Sequence, residues 1–172
     1  MNVLETERLQ LRRLVVDDAP FIFDLLNQPS WLRYIGDKGI RTLDDARNYI
    51  VNGPMAMYQR NGFGLYLTVL KEGGAPIGLC GLIKRDTLDD VDIGFAFHPD
   101  YWNCGYALEA AAAVLTHGLR DFNLPRVVAI ASQDNDSSIR LLEKIGLRFQ
   151  RRLQLTPDST EVSYFVHEKL AA

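Results

Sequence analysis

The six residues Trp102-Asn103-Cys104-Gly105-Tyr106-Ala107 stand where a strand-like run gives way to a helical pattern. The first turn of a helix carries amide N–H groups without intrahelical acceptors, and the aligned peptide dipoles add partial positive charge there. A glycine at Gly105 lets an anion come close to the backbone, and small Ala107 keeps the wall of the turn low. The chemistry on offer is phosphate binding by main-chain amides. An ordinary strand-to-helix turn can hold the same residues, and the segment is neither a P-loop nor a G-x-G-x-x-G turn. Cys104 lies at the helix start, where a thiol pKa can fall, so an acyl-cysteine is chemically conceivable.

The elements that must position this turn follow from the pattern on either side. Val91 to Phe97 reads as the strand before it, and Leu108, Ala112, Leu115 and Leu119 recur at helix spacing after it. Val127 to Ala131 is a continuous apolar run, as in a strand buried on both faces. Asn135 or Asp136 then caps a short helix that Gly146 closes, and two strands around Thr156-Pro157-Asp158-Ser159 finish the chain. Upstream, Leu9 to Val15 alternates as a strand, and Asp17 is placed to cap a helix carrying Phe21, Leu25 and Leu26. Trp31 to Gly36 reads as an aromatic loop. Thr42 and Asp45 form a weak capping pair for a further helix, which Gly53-Pro54 should break or kink. Strands at Phe63 to Leu70 and Pro76 to Lys84 flank a Gly73-Gly74 turn. The resulting order, βααβββαβαββ, predicts an α/β (α+β) mixed sheet with helices packed on it, in one domain over residues 1–172.

With 172 residues the chain suits one domain, and a 47% hydrophobic, 24% charged composition excludes a disordered one. Lys and Arg total 19 against 22 Asp and Glu, a net charge of −3, so the broad positive field that attracts nucleic acid is missing. A mildly acidic surface favours a cationic acceptor instead. Cys80 and Cys104 are too far apart in sequence to suggest a zinc site, and no metal is expected. The opening residues are acidic where a signal peptide needs basic and then apolar ones, and no apolar run is long enough to span a bilayer. The expectation is a cytoplasmic protein with no membrane partner, monomeric or a homodimer.

The segment at 102–107 resembles the R/Q-x-x-G-x-G/A pattern of the GNAT N-acyltransferases. Other blocks are similar to the RimJ/RimL-like branch of that family. They are Thr6-Glu7-Arg8-Leu9 with Leu11-Arg12, Phe97 to Trp102, Gly105 to Ala110, and Asn135 to Gly146. The resemblance implies the GNAT fold, acetyl-CoA as donor, and a primary amine as acceptor, on a peptide N-terminus or a small molecule. It assigns the pyrophosphate to the amides of Asn103, Cys104, Gly105, Tyr106 and Ala107. It assigns the pantetheine arm to the backbone of Phe95, Ala96 and Phe97, beside a gap that Asn135 and Ser138 face. Trp31 and Tyr34 fall where the family shapes its acceptor mouth.

Three positions depart from the family pattern. Trp102 stands in place of Arg or Gln, which costs a side-chain donor but no backbone amide. Leu142 stands where many members carry the tyrosine that protonates the departing thiolate, a role the resemblance then transfers to Ser138. The glutamate base of the last hairpin has no clear counterpart, leaving Asp92 and Glu161 as candidates to deprotonate the amine. A non-catalytic acyl-CoA-binding or regulatory module on the same fold is the alternative these departures leave open. His98, His117 and His167 show no partner at catalytic spacing in the sequence and are expected to be structural.

Overall fold

The computed structural model describes residues 2–168. Strand β1 (Asn2–Glu5), which the sequence pattern did not mark, forms a hairpin with β2 (Leu9–Arg13). A 3-10 turn at Val16–Asp18 leads into α1 (Ala19–Leu26), so Asp17 is not the cap; Asp18 precedes the helix and pairs with Arg12 at 2.8 Å. Helix α2 (Pro29–Tyr34) replaces the expected aromatic loop. Pro29 at its first position explains this, because a helix start needs no N–H there and favours the fixed φ of proline.

Helix α3 (Leu43–Ile50) opens on the expected capping pair, with the Asp45 N–H donating to Thr42 Oγ1 at 3.0 Å and the Thr42 N–H donating back to Asp45 Oδ2 at 3.1 Å. At Gly53-Pro54 the chain does not break. A π turn over Val51–Met55 carries it into α4 (Ala56–Asn61). Widening the turn is how a helix absorbs a residue that cannot donate to the preceding turn.

Strands β3 (Leu65–Leu70), β4 (Pro76–Ile83) and β5 (Asp92–Phe97) form the expected meander, followed by α5 (Tyr106–Arg120), β6 (Arg126–Ser132), α6 (Asp136–Lys144), β7 (Arg148–Leu153) and β8 (Val162–Glu168). One eight-stranded sheet runs β1-β2-β3-β4-β5-β6-β8-β7, antiparallel throughout except between β5 and β6. The expected mixed sheet with helices packed on it is therefore present, with one strand and two helices more than the sequence order predicted.

Helices α5 and α6 pack into the larger core, where Ala110, Ala111, Val114 and Leu142 meet Phe97, Val127 and Ala129. On α5 the buried stripe is Ala110, Ala111, Val114, Leu115, His117 and Gly118, not the expected Leu108–Ala112 face; Leu108 is exposed. Small residues on the inner stripe bring the helix close to the sheet, and the larger leucine is left outside. A second core gathers Leu14, Ile22, Leu25, Trp31 and Ile50 against Leu67 and Leu79.

His117 does acquire partners in space. Its Nδ1 lies 2.6 Å from Asp121 Oδ2 and its Nε2 lies 3.3 Å from the Tyr66 hydroxyl. This group sits at the C-terminal end of α5, away from the 102–107 turn. His98 bridges to Asp24 at 3.0 Å and accepts the Asp100 N–H through Nδ1 at 3.3 Å, which caps the short turn at Pro99–Tyr101.

Candidate active site

β5 and β6 are parallel neighbours joined at a single Cα pair, Asp92 with Val128, where the Val128 N–H donates to the Val91 carbonyl at 3.0 Å. Beyond it β5 stays bonded to β4 up to Phe97–Gly78, and β6 stays bonded to β8 up to Ser132–Val162. Each strand is thus held on its outer edge while the inner edges diverge. A wedge opens toward the carboxyl ends of both strands, where α5 and α6 begin. Open α/β sheets bind ligands at such points. Backbone polar groups along the inner edges have no strand partner, and polar main chain of this kind requires one. A ligand carrying its own amides meets that requirement, so Phe95, Ala96 and Phe97 fit the arm of acetyl-CoA.

The turn at the head of α5 has a left-handed backbone at two places, Asn103 (φ +61°) and Gly105 (φ +82°). No side chain caps this helix, and its first internal bond runs from the Glu109 N–H to the Gly105 carbonyl at 3.1 Å. The amides of Tyr106, Ala107 and Leu108 therefore precede the ladder. Asn103, Cys104 and Gly105 are exposed, and Tyr106 and Ala107 half-buried. The Trp102 indole donates to the Phe97 carbonyl at 2.8 Å, so it ties the turn to the end of β5 and offers no donor to a phosphate. Cys104 is exposed, with its thiol 3.3 Å from the Trp102 carbonyl.

The geometry adds a reason of its own for a glycine at 105. A Cβ there would meet Arg8 Nη2 at 3.2 Å, so the bare side of Gly105 faces a guanidinium. The positive φ and this close neighbour both select glycine.

The remaining candidates divide between the two ends of the wedge. Asp92 lies at its closed end, 1% exposed, with Oδ1 accepting from Arg85 Nε at 3.0 Å. Burial pushes its carboxyl pKa up, against the pull of Arg85. Ser138 lies in the first turn of α6 at the open end, half-buried, and its N–H donates to Asn135 Oδ1 at 3.3 Å. Asn135 is thus the N-cap of α6, and its carbonyl oxygen is spent on the helix. Leu142 is buried in the larger core. The structure does not bring Asp92 and Ser138 together; β5 alone spans about 17 Å. Glu161 is exposed beside the open end, where its carbonyl accepts from Gln133 Nε2 at 3.1 Å.

Trp31, expected at the acceptor mouth, is instead a core residue at 5% exposure, although its indole N–H finds no protein partner. Tyr34 is half-buried, under the Arg33 guanidinium at 4.9 Å, and its carbonyl accepts from Ser132 Oγ at 3.1 Å. That bond docks α2 onto the end of β6. Among the described residues no acid, histidine or cysteine cluster is arranged to hold a metal, and no helix is long and apolar enough to cross a membrane.

A parallel pair splayed beside an uncapped helix start is the arrangement of an acyl-CoA-dependent transferase. Residues 8–148 match the Acetyltransferase (GNAT) domain family, and the chain belongs to this family of acetyl-CoA-dependent N-acetyltransferases. It is 28% identical over 145 residues to an uncharacterized N-acetyltransferase, YnaD, of Bacillus subtilis, covering 84% of this chain and 82% of that one. An acetyltransferase from Agrobacterium tumefaciens superposes with a TM-score of 0.83 at 26% identity, over 98% of this chain and 95% of the other. RimL, a ribosomal L7/L12 α-N-protein acetyltransferase solved in complex with coenzyme A, shares the fold with a TM-score of 0.80 at 16% identity, over 98% of each chain.

Proposed function

We propose that the protein transfers the acetyl group of acetyl-CoA to a primary amine by direct attack within a ternary complex. The acceptor is a peptide N-terminal α-amine or a small-molecule amine. The wedge between β5 and β6, opening at the uncapped start of α5, carries this reading. Bound there, the donor supplies an activated acyl carbon and a thiolate leaving group.

The chain's own residues do the rest. Amides from Asn103 to Ala107 hold the pyrophosphate, and the edge of Phe95 to Phe97 pairs with the pantetheine amides through the groups left free beside the Phe97 carbonyl that Trp102 holds. As the amine nitrogen bonds to the acyl carbon and the C–S bond breaks, the Ser138 hydroxyl gives its proton to the sulfur and is restored by the proton the nitrogen releases. Its position one turn from the wedge's open end supports that role, and buried Leu142 cannot fill it. The amine must attack in its neutral form. Asp92 is a buried carboxylate held by Arg85 at the closed end, so it acts through water. Glu161 stands at the same end as Ser138, which favours it as the second candidate. Tyr34, on α2 docked against β6, borders the acceptor's approach, whereas the ring of Trp31 supports that wall from within.

Two measurements test this. CoA at a hundredfold excess over its dissociation constant should stabilise the protein by about 2.7 kcal/mol, with NADH and ATP doing far less; no shift at millimolar CoA refutes the donor. Acetyl-CoA turnover against peptides, amino acids, polyamines and aminoglycosides should yield at least one acceptor. With it in hand, whichever of Asp92→Asn and Glu161→Gln removes the acid limb of the kcat/KM profile identifies the base.

A further inference from the structure

The β1–β2 turn, about a hundred residues away in sequence, is docked on the head of α5. The Arg8 guanidinium donates through Nη1 to the Cys104 carbonyl at 2.9 Å and through Nε to Glu109 Oε1 at 2.8 Å, and it lies 4.4 Å above the Tyr106 ring. The other carboxylate oxygen of Glu109 accepts the Arg8 N–H at 3.0 Å and the Thr6 hydroxyl. Thr6 in turn holds its own turn closed, its N–H donating to the Leu9 carbonyl at 2.9 Å and its Oγ1 accepting the Leu9 N–H at 3.1 Å. Burial pushes the Glu109 carboxyl up, but the bonds from Thr6 and Arg8 outweigh it and the net pKa is lowered.

Glu109 in this place needs an explanation. A carboxylate one turn into a helix whose head receives a pyrophosphate repels that ligand at close range. The helix dipole favours a carboxylate in the first turn, and this one also holds Arg8. The grip of Arg8 on Cys104 has a geometric consequence. In a trans peptide the carbonyl and the following N–H point in opposite directions, and the described residues contain no cis bond. Fixing the Cys104 carbonyl toward Arg8 therefore turns the Gly105 N–H away from it, toward the open side of the turn. The same peptide lies between two left-handed residues, Asn103 and Gly105, where the backbone does not hold its shape cheaply.

We infer that Thr6, Arg8 and Glu109 form a clamp that sets the peptide planes of the 103–107 turn for the donor's pyrophosphate, with Arg8 as its central positioning residue. This rests on the proposed donor site. It adds that the site's shape is imposed from the first hairpin, by a residue that need not touch the donor.

The clamp and a simple charge contribution by Arg8 make opposite predictions for Glu109→Gln. Removing a negative charge near the pyrophosphate tightens CoA if charge alone matters. If Glu109 anchors Arg8, the near-isosteric amide keeps its oxygen on the Thr6 hydroxyl and the Arg8 main-chain N–H and turns its NH2 against Arg8 Nε, which frees the guanidinium, so CoA binds more weakly. Titration calorimetry with CoA on the wild type, Arg8→Lys, Arg8→Ala and Glu109→Gln, with melting curves for each, reads this directly. Each variant should bind CoA about tenfold more weakly, and KM for acetyl-CoA should rise by the same factor while kcat stays within about twofold. Glu109→Gln keeps the test decisive where Arg8→Ala does not fold. Unchanged or tighter CoA binding by folded Glu109→Gln, or a fall in kcat as large as the rise in KM, overturns the clamp and leaves the donor site standing. A wild type that does not bind CoA removes the donor site itself.

Discussion

The two helices that begin at the open end of the wedge start in opposite ways. Helix α6 is closed upon itself: Asn135 caps it, taking the Ser138 N–H, and Gly146 (φ +101°) ends it with the Leu147 N–H reaching the Leu142 carbonyl at 3.0 Å and the Gly146 N–H the Glu143 carbonyl at 3.1 Å. Both ends satisfy their own backbone, in the manner of a Schellman close. Helix α5 has no side-chain cap, and it begins after two left-handed residues that are buttressed from outside by Arg8. A helix start that leaves its amides free, yet is braced from behind, is shaped for something that arrives. In the proposed reaction the self-capped helix supplies a side chain instead, the hydroxyl of Ser138.

Gly105→Val should produce the largest effect. A β-branched residue at φ +82° is strained by roughly 1–2 kcal/mol, and its side chain would displace Arg8, so CoA affinity should fall by about a hundredfold with a lower melting temperature. Folded valine variant that binds CoA normally would erase the contrast between the two helix starts. Asp92→Asn or Glu161→Gln, whichever removes the base, should lower kcat/KM by about a hundredfold near neutral pH, with little change in CoA affinity. Ser138→Ala sharpens the comparison from the α6 side: kcat should drop about tenfold while KM for acetyl-CoA stays within about twofold. Wild-type values for both would take Ser138 out of the reaction.

Asn135→Ala should cost about 1 kcal/mol of stability, the usual worth of a lost cap, and leave CoA binding intact in calorimetry. A parallel loss of CoA affinity would mean that both helix heads hold the donor. The smallest effect concerns acid. Glu109 has a lowered folded pKa, so its stabilising contribution is present above the unfolded value near 4.3 and is lost as pH falls through the folded one. Melting temperatures below about pH 4 should therefore fall less steeply in Glu109→Gln than in the wild type.

Much of this contrast was legible in the chain. Asn135 and Gly146 announce α6 at both ends, because caps act through bonds between near neighbours. The 102–107 turn was legible as the start of a helix on the same local grounds, and the apolar run at Val127 to Ala131 identified a strand buried on both faces. Residues 29–34 were misread because their aromatic content drew attention away from Pro29, which opens a helix there. On α5 the period was right and Leu115 and Leu119 do face the core, but Leu108 and Ala112 are exposed, since leucines marked the stripe more loudly than the alanines that pack against the sheet.

What the sequence determined by itself is most of the elements, though not β1, α2 or α4, together with their order and the residue types available to chemistry, because propensity, capping and hydrophobic period act over a few residues. Only the tertiary structure decided that β5 and β6 part after one pair, that Trp31 belongs to the core, and that Asp92 and Ser138 stand at opposite ends of the wedge. It also decided what stands beside Gly105: Arg8, brought there by a sheet that folds the first hairpin against the head of α5. Contacts between residues a hundred positions apart leave no period or cap in a sequence. They exist once packing has paired the faces that local patterns only prepare.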